Sequence, residues 1–126
     1  MNVETLSGRD SFRRTILSGE QIEGEFVRFF ILGQTEGSGV LKIGVAVPGK
    51  AGNAVRRNRL KRVMREALRN GFAAPRFECS GPMGYNVVAM FRLSKAKGLK
   101  TVSPCMFEAD VEIARQALKR LGLARQ

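Results

Sequence analysis

Lys50-Ala51-Gly52-Asn53-Ala54-Val55-Arg56-Arg57-Asn58-Arg59-Leu60-Lys61-Arg62-Val63-Met64-Arg65-Glu66-Ala67-Leu68-Arg69 is the stretch on which the reading of this chain turns. It carries eight Lys or Arg against one Glu, a local charge of +7 in a chain whose total is +11. Residues 1–49 sum to −1 and residues 70–126 to +5, so the imbalance is concentrated rather than spread. At about 100° per residue, Leu60, Val63, Met64, Ala67 and Leu68 recur with the spacing of a core-facing helical stripe. Asn58, Arg62, Arg65 and Arg69 fall on the opposite face, with Arg59 and Lys61 on its flanks. The sequence therefore predicts a helix over 54–69 that buries one side and presents cations on the other. A solvated helix face ordinarily mixes signs for i, i+4 pairing, but here Glu66 is the sole acid. Such a stripe is the electrostatic footprint of a surface that meets phosphates. An anionic membrane surface fits less well, because the apolar side lacks bulky aromatics.

Outward from that helix, the chain alternates helical and strand signals. Residues 7–18 read as a first helix, capped by Ser7 with Asp10 three positions on and ended by Gly19. Residues 26–32 and 41–47 read as two strands joined across the turn 33–39, a hairpin by the shortest connection. Pro48 and Gly49 stop the second strand. The basic helix closes at Asn70-Gly71. Pro75, Gly81, Pro82 and Gly84 make 73–85 a loop, residues 86–91 a short buried strand, and Arg92, Lys95, Lys97 and Lys100 a second basic loop. Ser103 and Pro104 open a last helix with the stripe Phe107, Val111, Ala114, Leu118 and Leu121, ended by Gly122. This order gives an α+β sandwich around one sheet. The 126 residues, 44% of them hydrophobic, suit a single domain spanning 1–126.

Composition limits the chemistry. The chain has no histidine, so the commonest general base and metal ligand is missing. No serine or cysteine lies in a nucleophile-elbow context, and Gly37-Ser38-Gly39 reads as a turn rather than a phosphate cradle. Glu108, Asp110 and Glu112 open a helix whose dipole already accounts for acids there. No catalytic residue is assigned, and the sequence leaves open whether the chain binds metal. Cys79 and Cys105 lack metal or redox spacing and read as reduced, small apolar residues of a cytoplasmic protein. No apolar run reaches the roughly 18 residues of a membrane span, and no secretory signal is expected.

Gly52-Asn53-Ala54-Val55, Arg57-Asn58-Arg59, Lys61-Arg62 and Arg65-Glu66 together resemble the signature of the bacterial ribonuclease P protein subunit. The likeness extends over nearly the whole chain: a first helix bearing a Phe, a strand with an aromatic residue, and a strand ending just before the motif lysine. It implies a two-layer α-β sandwich, with a four-stranded type of sheet and a left-handed β-α-β crossover, an exception to the usual hand. It implies a protein cofactor of a catalytic RNA that removes the 5′ leader of precursor tRNA, with magnesium-dependent chemistry carried by the RNA. Lys50, Asn53, Arg56, Arg57, Asn58, Arg59, Lys61, Arg62, Arg65 and Arg69 become the RNA-facing set. Phe12 and Phe29 become aromatics of a cleft for the single-stranded leader.

Rival readings stand beside several of these. Asn58 could cap the helix, the Arg57 stem could pack on the apolar side, and Phe12 and Phe29 could be core residues. At the level of function, the alternatives are a ribosome-associated RNA-binding module, a DNA-binding architectural protein and a stand-alone nuclease. DNA and membrane partners are not expected.

Overall fold

A computed structural model describes residues 2–34, 40–72, 84–96, 99 and 101–124. Five strands, β1 (Asn2–Thr5), β2 (Glu20–Glu23), β3 (Val27–Gln34), β4 (Val40–Ala46) and β5 (Gly84–Phe91), form one mixed sheet in the order β1-β4-β5-β3-β2. Three α-helices accompany it: α1 (Arg9–Ser18), α2 (Ala54–Phe72) and α3 (Glu108–Ala124). The α+β architecture is as the sequence implied, with five strands in place of four. The additional strands, β1 and β2, are four residues each and lie at the sheet edges, where a short polar segment leaves no alternation to read.

The expected hairpin between the strands at 26–32 and 41–47 does not form. β3 and β4 are separated by β5, which pairs antiparallel with β3 and parallel with β4. The reason is burial. β5 is buried along almost its whole length, as a near-continuous apolar strand is when both faces are covered. It takes the centre of the sheet and forces β4–α2–β5 to be a parallel crossover. The turn expected at 33–39 and the loop at 73–85 fall largely outside the described residues; Gly33 and Gln34 belong to β3, and Gly84 and Tyr85 to β5.

Alternation along β3 divides the molecule. Val27, Phe29 and Ile31 face the large core, with the α2 stripe Leu60, Val63, Met64 and Leu68, the α3 stripe Val111, Ala114 and Leu118, and Phe107 from the turn just before α3. Phe30, from the intervening position, faces the other side, where it joins Leu6 and Val88 beneath Phe12 and Ile16 of α1. α1 thus covers part of the second sheet face and leaves the remainder open.

Helix ends differ from the sequence reading for identifiable reasons. α1 starts after Gly8, whose φ of +94° favours glycine, and Ser7 supplies no cap. α2 does not stop at Asn70-Gly71 but runs on to Phe72, whose ring is fully buried. Gly71 permits this, since an added Cβ would collide with Val111 of α3. α3 likewise passes Gly122, and its entry at Ser103-Pro104 is a 3-10 turn, Pro104–Phe107, with no side-chain cap from Ser103.

Asp110 has a role that the helix dipole does not describe. Its carboxylate is buried and accepts hydrogen bonds from the backbone N–H groups of Glu25 (2.7 Å) and Phe26 (2.8 Å). It thereby pins the β2–β3 turn to the start of α3. Gly24 is required beside it, because a Cβ there would press on the carboxylate.

Candidate nucleic-acid interface

Asn53 opens α2. Its Oδ1 accepts the backbone N–H of Arg56 at 2.9 Å, satisfying one of the orphan donors of a helix start. Just before it, Gly52 adopts φ +153° and lies under the side chain of Arg56, so that a Cβ would meet Arg56 Cδ. That backbone region is essentially restricted to glycine. Gly52→Ala should cost about 1–3 kcal/mol, measured as a lowered thermal midpoint, while Gly49→Ala, where an added Cβ meets no closer atom than Arg57 Nη1 at 4.0 Å, should be nearly neutral.

The ten residues of the expected RNA-facing set divide once they are placed. Asn58, Arg59, Arg62 and Arg65 are exposed along one side of α2, Lys61 is half-buried at their flank, and Lys50 is exposed in the turn Gly49–Ala51. The ion pairs formed between described residues involve Glu23, Arg28, Arg92, Glu112 and Arg115, and none of them uses Arg59, Arg62 or Arg65. Three members of the set, Asn53, Arg56 and Arg69, make hydrogen bonds within the fold, and a fourth, Arg57, is half-buried. Asn53 is the helix cap, a task the sequence reading had assigned as an alternative to Asn58 instead. Arg56 donates through Nη2 to the carbonyls of Ala96 (2.8 Å) and Leu99 (3.1 Å), tying the segment after β5 to the start of α2. Arg57 is half-buried, with its Nη1 near Gly49. Arg69 donates to Thr5 Oγ1 at 2.6 Å, bracing α2 against β1.

The two cleft aromatics do not share a site. Phe12 is half-buried on α1, with its ring standing over Gly44 of β4. Phe29 is 0% exposed and lies in the large core on the far side of the sheet, so its ring reaches no solvent-facing cleft. A one-residue step in a strand reverses the face, and Phe29 sits on the core side. Phe30 is the aromatic that faces α1, and there it is packed under the helix.

The uncovered part of that face is an open cavity of about 310 Å³ lined by Arg28, Pro48, Met90, Phe91, Arg92, Leu93 and Ser94. Met90 also packs against the cluster under Phe12, so one residue borders both the cavity and the surroundings of that aromatic. Sequence reasoning missed Arg28 and Arg92 here. An arginine set within an otherwise apolar strand, at the position alternating with Phe29, was the available signal. Both arginines reach Glu23, which Arg28 Nη2 approaches to 2.7 Å and Arg92 Nε to 3.5 Å. The Arg28 hydrogen bond first, and the Arg92 charge next, hold the Glu23 carboxyl below its ordinary value. A lowered folded-state value means this stabilisation is complete above the ordinary carboxylate range and fades as pH falls through the folded value.

Cys105 is exposed and free rather than packed, and Cys79 lies outside the described residues. No helix among the described residues is long and apolar enough to cross a membrane.

Fold and surface together define a small α+β domain that gathers its charge on one helix laid across a mixed sheet. The Ribonuclease P family model matches residues 1–101, and the chain belongs to that family of ribonuclease P proteins. Membership makes it part of a ribonuclease ribonucleoprotein with an RNA partner and places it in tRNA processing. The fold is shared with the RNase P protein from Thermotoga maritima, at TM-score 0.67 and 24% identity, over 93% of this chain and 96% of that one. It is shared equally with the Staphylococcus aureus RNase P protein, at TM-score 0.66 and 18% identity, over 90% and 94% of the two chains. No curated protein compared with the chain matches it in sequence.

Proposed function

We propose that this chain is the protein cofactor of ribonuclease P, binding the catalytic RNA through α2 and the 5′ leader of precursor tRNA through the cleft beside Phe12. The observation that carries the proposal is the exposed set Asn58, Arg59, Arg62 and Arg65 on a helix whose other side is fully committed to the core. Guanidinium groups suit forked contacts to phosphate. Lys50 and Lys61 extend the same surface. Phe12 offers a ring face for stacking on an unpaired base.

The reaction is endonucleolytic hydrolysis of a phosphodiester, giving the mature tRNA 5′ end, with Mg2+ as the metal. Among the described residues no three acidic, cysteine or histidine side chains converge on a point. We assign the ion mainly to the RNA subunit and route no step through a protein-bound metal. The protein contributes positioning: phosphate contacts fix its register on the RNA, and the cleft selects substrates that still carry a leader. We place it in the cytoplasm, with neither DNA nor membrane as partner.

Purification from cells without ribonuclease treatment, followed by sequencing of the retained RNA, tests this reading. One long, abundant non-coding RNA is the expected result; ribosomal RNA in its place would favour the ribosome-associated module, and no retained RNA would contradict both. The cleft has its own test. Phe12→Leu should weaken holoenzyme binding of precursor tRNA by about five- to tenfold, the low end of a lost stack, and leave mature tRNA unchanged. Gly44→Ala should do the same by displacing the ring. Phe29→Leu should instead lower the melting temperature without selectivity.

A further inference from the structure

Two arginines of the cleft are already holding an anion, and that anion belongs to the protein. Glu23 Oε1 accepts Arg28 Nη2 at 2.7 Å and Nε at 3.3 Å, and lies 3.5 Å from Arg92 Nε. Arg92 is fixed from behind, its Nη1 donating to the carbonyls of Gly24 (2.9 Å) and Glu25 (3.1 Å). Its position is therefore set by backbone and does not depend on Glu23. Both guanidinium groups line the open cavity of about 310 Å³, and Glu23 stands at their edge with 46% of its side chain exposed. Two cations against one carboxylate leave this corner net positive. An ion pair so exposed contributes little stability, so its carboxylate is readily exchanged for another anion.

We propose that Glu23 is an internal competitor for phosphate, occupying the Arg28–Arg92 pair in the free protein until a phosphodiester of the single-stranded leader takes its place. A phosphodiester carries the same single charge as a carboxylate and offers two oxygens to the same guanidinium fork. Strand register puts this subsite next to the stacking site. Gly44, under Phe12, pairs with Val88, while Ala46 pairs with Met90, and Met90 pairs in turn with Arg28. The step along the strand is two residues, about 7 Å, and Arg28 lies two strands across from Gly44, about 10 Å, so the two are separated by about 12 Å on one sheet face. A base stacked on Phe12 thus leads the backbone further along the leader, not the phosphate next to that base, to the arginines. The carboxylate imposes a cost on every anion that enters, so the pair is occupied only when stacking and the tRNA body hold the leader in the cleft. Glu23 on this account lowers the affinity for any unpaired strand that enters the cleft.

The inference rests on the leader-cleft reading, and the experiment separates the two. Holoenzyme reconstituted with wild-type or Glu23→Gln protein is titrated with precursor tRNA, with mature tRNA and with an unstructured RNA oligonucleotide across a salt series. Removing one competing charge frees about one further phosphate contact. The expected results are about fivefold tighter precursor binding at about 0.15 M salt and a salt slope steeper by a little under one. Binding of the oligonucleotide should rise by at least as much, mature tRNA should be unchanged, and the gain should vanish in Arg28→Ala/Glu23→Gln relative to Arg28→Ala. Precursor binding that is equal or weaker in Glu23→Gln, with the melting curve intact, overturns the competitor role. Wild-type holoenzyme that fails to prefer precursor over mature tRNA overturns the cleft itself, and this inference with it.

Discussion

Alanine at both Arg62 and Arg65 should weaken binding of the catalytic RNA about 30-fold at about 0.15 M salt and shallow the logarithmic salt slope by about 1.8. Both figures come from the same source. Each phosphate contact releases condensed counterion and contributes about 0.9 to the slope, and two such contacts extrapolated from about 1 M salt give the affinity loss. Both side chains are exposed on the side of α2 away from Leu60, Val63, Met64 and Leu68, so the melting temperature should stay within about 2 °C, as for ordinary surface changes. Lysine at both positions should restore much of the slope but less of the affinity, because charge survives and the forked geometry does not. An unchanged slope in the double alanine variant would mean that this side of α2 is not the RNA surface.

The largest stability effect should come from Asp110, which is no part of the proposed α2 surface for the catalytic RNA. Asp110→Ala removes the acceptor for two backbone donors, Glu25 and Phe26, and leaves both amides without it beside a buried site. The expected cost is about 2–3 kcal/mol, or about 10 °C in melting temperature for a chain of this size. Asp110→Asn retains one acceptor oxygen and should lose about half as much. Affinity for the catalytic RNA extrapolated to the fully folded fraction should be unchanged in both, which separates this residue from Arg62 and Arg65. Chemical denaturation of the three proteins, read by circular dichroism, measures it.

Much of this molecule is visible in one helix of its sequence. The period of Leu60, Val63, Met64, Ala67 and Leu68 gave α2 its buried side, and all five are buried in the structure. What the sequence concealed was of two kinds. Long-range pairing was hidden because chain neighbours such as β3 and β4 are the default partners, and nothing local to either strand says that β5 will come between them. Side-chain commitments were hidden because a cation looks alike whether it faces solvent or a carbonyl. Arg56 and Arg69 sit within the basic run, yet one braces Ala96 and Leu99 and the other Thr5. Phe29 shows the limit of strand reading: the strand was identified, but which of two adjacent aromatics pointed inward depended on a register that only the packed sheet defines. Glycines misled in the opposite direction, since Gly71 and Gly122 read as stops but lie inside helices. At Gly71 the missing Cβ is what lets α2 approach Val111.

The central claim is that this chain binds and positions while an RNA performs the cleavage. Reconstitution tests it most directly: RNA-free protein, the catalytic RNA alone and the two together are each incubated with precursor tRNA at about 2 mM Mg2+, and leader release is followed over time. The account predicts no cleavage by the protein alone at any Mg2+ concentration, slow cleavage by the RNA alone, and rapid cleavage at the mature 5′ end by the two together. Site-specific 5′ maturation by the RNA-free protein, or a rate for the pair no greater than that of the RNA alone, would contradict it.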